Sequence, residues 1–98
     1  MIRGTTPTHT FALPFDTSAV KSAKVIYVQS DAVVLEKTSC TMDGNTLSVR
    51  LTQEETLKFD CKKNVEIQLR ILTEANDALT SDIITIDVAR CLDEEVLV

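Results

Sequence analysis

The side chains that could do chemistry are few in this sequence, and their spacing is poor for it. His9 is the single histidine, and nothing in the sequence sets a cysteine or a second base beside it. Nucleophilic catalysis needs a Ser, Cys or Thr next to such a base. Cys40, Cys61 and Cys91 are widely separated, odd in number and without a C-x-x-C pair. Disulfide frameworks use denser, paired cysteines, and zinc sites use close ligand pairs, so free and mostly buried thiols are expected. The carboxylate pairs Glu54-Glu55 and Glu94-Glu95 lie in polar surroundings with no reason for a raised pKa. Asp43-Gly44-Asn45 is similar to a fragment of a calcium loop, but the ligands required at wider spacing are missing. With two glycines in the chain there is no glycine-rich loop to cradle a phosphate. The expectation is a protein with no catalytic, cofactor-binding or metal residues: not an enzyme, and without a cofactor.

Composition narrows the remaining classes. The 98 residues suffice for one domain, and folding a chain of this size buries roughly 60–65% of its unfolded surface. Phe11, Phe15, Tyr27 and Phe59 are the only aromatics and tryptophan is absent, so the core must come from Val, Ile and Leu. That scarcity disfavours surfaces that stack sugars or bases on rings. The net charge is −5 and basic residues are scattered, with Lys62-Lys63 the only adjacent pair. No basic stripe exists for a phosphate backbone, so no nucleic-acid partner is expected. The apolar runs are too short to span a bilayer and no apolar leader segment follows Met1, so no membrane partner is expected either.

The elements that must position any site are strands. Residues 65–71 alternate Val65, Ile67, Leu69 and Ile71 against Glu66, Gln68 and Arg70; Ile84, Ile86 and Val88 repeat the rhythm. A two-residue turn at Asn76-Asp77 would make these a central hairpin, with Leu69 opposite Ile84, Ile67 opposite Ile86, Val65 opposite Val88 and Thr73 opposite Thr80. That register sets Glu66 against Asp87, an unfavourable pair. Residues 8–15 alternate His9, Phe11, Leu13 and Phe15 with Thr8, Thr10 and Ala12, and Pro14 suits a strand edge or end. Asp16 can cap a helical turn reaching Val20. Residues 23–29 are apolar in both phases, as in a central or covered strand. After a turn at Ser30-Asp31 comes a strand over residues 32–37. A hairpin follows, turning at Gly44 between the Cys40–Met42 stretch and residues 46–51. Thr52-Gln53-Glu54-Glu55 is a capping box opening a short helix near 53–59, with Leu57 pointing inward. Together these predict an all-β fold: a two-sheet antiparallel β-sandwich, immunoglobulin-like in outline, of six or seven strands with one short crossover helix. An open barrel is the alternative. Residues 1–7 read as a flexible N-terminal arm, 8–92 as the single sandwich domain and 93–98 as an acidic-apolar tail.

The stretches R-G-T-T-P-T-H-T-F-A-L-P-F-D, L-T-Q-E-E-T-L-K-F and I-Q-L-R-I-L-T resemble small uncharacterised proteins of phages and prophages of Firmicutes, and the resemblance runs the length of the chain, from Arg3 to the D-E-E-V-L tail. The resemblance implies a virion- or tail-associated structural protein. Its partners would be other phage structural proteins or copies of itself as a homo-oligomer, in the host cytoplasm during assembly and then in the virion. It carries over no functional residue. The ends of the chain supply the candidate partner contacts: Thr5, Thr6 and Thr8 in front, and Asp93, Glu94, Glu95, Val96 and Leu97 behind. The alternatives are a host-surface binding module for glycan or protein, and a small cytoplasmic inhibitor or regulator.

Overall fold

A computed structural model describes residues 1–98. Eight strands and one short helix follow in the order β1 (Thr8–Ala12), β2 (Val20–Gln29), β3 (Ala32–Lys37), β4 (Thr41–Asp43), β5 (Thr46–Arg50), α1 (Gln53–Thr56), β6 (Val65–Thr73), β7 (Ala78–Thr80) and β8 (Ile84–Ile86). They form two antiparallel sheets: a three-stranded one, β1-β5-β4, and a five-stranded one, β3-β2-β6-β7, in which β8 also pairs with β6. The smallest extent of the molecule, 16 Å, fits two layers stacked about 10 Å apart.

Alternation in the sequence becomes the core. Phe11, Leu47 and Val49 face inward from the small sheet. Val25, Tyr27, Val65, Ile67, Leu69 and Ile71 face inward from the large one, and Leu51 and Phe59 close the end. β2, apolar in both phases, is central between β3 and β6. One short turn works without glycine in the left-handed region: Ser30 (φ 50°) and Asp31 (φ 63°) make the two-residue loop of the β2–β3 hairpin. Asp16 caps a single 3-10 turn, Thr17–Ala19, by accepting from the Ser18 amide.

α1 crosses from the small sheet to the large one and carries the full capping box. Thr52 accepts from the Glu55 amide at 3.2 Å, and the Thr52 amide donates to Glu55 at 2.8 Å. The helix is four residues long, shorter than the expected 53–59. Its buried residue is Thr56; Leu57, expected inward, is the half-buried C-cap.

The hairpin at residues 65–88 differs most from expectation. β6 is central, but its returning strand is an edge, split into β7 and β8. Arg70 faces Thr80 and Ile71 faces Leu79, while Ile67 faces Ile84 and Val65 faces Ile86. The cause is the turn. Thr73 and Asp77 close a three-residue loop in which Asn76 takes φ 64°, in place of a two-residue turn at Asn76-Asp77. One extra residue is then absorbed at Ser81, whose hydroxyl accepts from the Leu69 amide at 3.0 Å. Glu66 thereby faces Thr85 and the repulsion with Asp87 is avoided.

Five strands over three leave an overhang. Leu79 and Ile84 lie across from the buried Ile71 and Ile67, and so on the core-facing side, yet they are 42% and 45% exposed.

Candidate interaction surface

The one imidazole is used internally. His9 on β1 meets Tyr27 on β2, with Nδ1 2.7 Å from the phenol oxygen and ring centroids 5.6 Å apart. Tyr27 in turn packs on Phe59. The phenol is fully buried and Nδ1 is its one partner, so a neutral imidazole accepting the phenol proton satisfies it. Burial, and secondarily the positive amino terminus, pushes the His9 pKa down, which favours that neutral form. Burial, with the charges of Glu55 and Cys40, pushes the Tyr27 pKa up, so the hydroxyl keeps its proton. The pair is a polar strut between the two sheets, and none of the cavities is lined by His9.

The remaining chemistry-bearing residues are dispersed. All three cysteines are free and half-buried, less buried than expected, and burial raises the Cys40 pKa. No group of three or more His, Cys, Asp or Glu side chains is placed to hold a metal ion. Glu55 bridges to Lys37 with both oxygens at 2.9 Å, joining α1 to β3. Burial alone would raise the Glu55 pKa; hydrogen bonds from Lys37 and Thr52 outweigh it and hold it below the usual range.

The two chain ends, both expected at the surface, come together over α1. Residues 1–3 run parallel to residues 87–89: the Ala89 amide donates to Met1 O at 2.7 Å and the Arg3 amide to Ala89 O at 3.1 Å. Arg3 pairs with Glu94 and donates to Leu57 O, and its Nε has no partner. Thr56 Oγ1 accepts from the Gly4 amide and donates to Thr5 O, both at 2.9 Å. The stretch read as a loose arm is thus tied down by backbone bonds. Gln53 brackets Leu97, accepting from its amide at 2.8 Å and donating to its carbonyl at 3.1 Å. Thr6 and Val96 share an open cleft of about 550 Å³ with Arg50, Thr52, Gln53 and Glu54. Thr5 donates to Ile2 O, Asp93 accepts from the Glu95 amide, and Thr8 begins the edge strand β1. Two buried polar residues were missed in the sequence, Thr56 and Gln29. The Gln29 amide clamps the loop after α1, bonding Asp60 N, Asp60 O and Lys63 O. Its signal was its phase, two residues beyond Tyr27 on the inward side.

At the opposite side an apolar slot of about 230 Å³ opens between the sheets. Phe11, Leu13 and Phe15 line one wall and Leu69, Ile71 and Leu79 the other.

No protein-family profile and no curated protein matches the chain. Among solved structures, the mouse leukocyte-associated immunoglobulin-like receptor 1 Ig-like domain, solved as a strand-swapped dimer, aligns with a TM-score of 0.50 at 9% identity, over 90% of this chain and 83% of that one. The fold is an immunoglobulin-like β-sandwich. At that identity the likeness is one of architecture and extends to no activity. No helix is long and apolar enough to cross a membrane.

Proposed function

We propose that this immunoglobulin-like sandwich is a non-enzymatic assembly component of a phage or prophage particle, associated with the virion or its tail and baseplate, acting through protein–protein contacts with other particle proteins or with itself. It would act in the host cytoplasm during assembly and remain in the virion. The observation that carries the reading is the unfinished apolar margin: Leu79 and Ile84 on the core-facing side stay exposed, and Leu79 lines the open slot between the sheets. The polar cleft at Thr6, Arg50 and Gln53 is open to solvent, and an apolar margin beside free strand edges fits another chain better than a small polar substrate. The phage assignment rests on the sequence resemblance.

The glycan-binding alternative has little to work with, because Phe11, Tyr27 and Phe59 are spent in the core. The test is capture of the proteins encoded beside this reading frame by the purified chain, with a glycan array in parallel. Retention of a neighbouring structural protein supports the assembly reading. Binding to glycans alone, or to a host enzyme alone, overturns it.

A further inference from the structure

Strand β1 pairs with β5 on one side only, and it is an edge of its sheet. The Leu51 amide donates to Pro7 O and the Leu13 amide to Asn45 O, in the same register that sets His9 opposite Val49 and Phe11 opposite Leu47. Odd-numbered residues of β1 therefore make the bonds to β5. Antiparallel ladders alternate, so the amides and carbonyls of Thr8, Thr10 and Ala12 point away from it. No backbone bond outside the ladder reaches them. Natural edges are guarded by charge, proline or bulges. The margin at residues 74–87 carries exposed Glu74, Asp77, Asp82 and Asp87, and β3 carries Glu36 and Lys37. β1 carries no acidic or basic side chain besides one imidazole: from Thr5 to Phe15 the only ionisable side chain is His9, whose burial favours the neutral form. Pro7 and Pro14 bracket this bare stretch without reaching its centre. The slot between the sheets lies along its inner side, at Phe11, Leu13 and Phe15.

We propose that the free edge of β1 pairs antiparallel with β1 of a second copy, joining two small sheets into one continuous six-stranded sheet across a two-fold axis. This names the self-association that the assembly reading leaves open, and it rests on that reading. The occupant is a second copy because the edge is self-complementary. Thr8, Thr10 and Ala12 offer donor and acceptor alternately on both sides of the axis, and each facing pair exchanges two bonds. In that phase the inward residues of the incoming strand, the partner's His9, Phe11 and Leu13, lie on the side of the slot. The charge pattern agrees. Two copies of a net −5 chain repel least where neither presents a charge, whereas pairing through residues 74–87 would set acidic rows against each other.

The test is sedimentation equilibrium with light scattering on the full chain, under reducing conditions, from micromolar to millimolar concentration. The wild type should show a reversible dimer. Thr10→Pro removes the central outward amide and leaves the β5 ladder intact; Thr10→Lys sets like charges face to face. Both should stay monomeric, or weaken the dimer by on the order of tenfold or more, with an unchanged circular-dichroism spectrum. Thr85→Lys, on the opposite margin, should leave the dimer unchanged. A wild type that is monomeric throughout, or a dimer indifferent to both Thr10 variants, overturns the proposal. A monomer that still captures another particle protein overturns it while leaving the assembly reading in place.

Discussion

His9 and Tyr27 make the stability of this sandwich depend on pH in a definite direction. Burial lowers the folded-state pKa of His9 below its unfolded value, so the histidine contributes fully when both states are neutral. As pH falls through about 6.5, the unfolded chain takes up a proton that the folded chain resists, and stability is lost down to the folded-state value. His9→Gln should therefore flatten the acid limb of the stability curve between neutral and mildly acidic pH, read by denaturant midpoints; parallel curves for variant and wild type would refute the strut. Thr56→Val tests a second buried polar contact. It leaves the Gly4 amide and Thr5 carbonyl without a partner and should cost about 1–2 kcal/mol, with faster hydrogen exchange at Gly4. Neither interaction was legible in the sequence. A histidine at the rim of an apolar face and a threonine in a helix look ordinary until the fold supplies a partner from a distant segment.

Among elements, those whose signal is local were legible: the alternation of β1, β5 and β6, the Asp16 cap and the Thr52–Glu55 box all appear where the sequence sets them. Glu55 holds the box and the Lys37 bridge at once. Glu55→Gln preserves the cap and loses the ion pair; Glu55→Ala loses both. The expected costs are about 1 and about 2 kcal/mol, measured at neutral pH. Because the folded-state pKa of Glu55 is depressed, the ion-pair share is present above the unfolded value and vanishes as pH falls through the folded one. The hairpin register was not legible, since it hangs on one backbone angle. Asn76 is the last residue of a three-residue loop, and no pattern of apolar residues records that. Asn76→Gly should be neutral or nearly so, whereas Asn76→Val should cost about 1–2 kcal/mol in thermal or denaturant melts, because a β-branched residue resists φ 64°.

At the scale of the molecule, the sequence shows two layers but hides their unequal width. That inequality arises from which strands pair, and it decides where apolar surface is left uncovered. It also bears on how copies meet. With net charge −5, added salt screens the repulsion between copies over distances beyond about 10 Å at 0.1 M. Self-association should accordingly strengthen from low to moderate salt when followed by light scattering, and a weakening with salt would point to an ion-paired interface.

The front of the chain belongs to both layers. Residues 1–3 lie along 87–89 beyond β8, the next few are pinned by Thr56, and β1 then enters the opposite sheet. Tension applied to the first residues would meet the Ala89 bonds first, then the threonine latch, and reach the β1 ladder last. The molecule should yield under load in steps, peeling like a seam, while the remaining strands stay assembled.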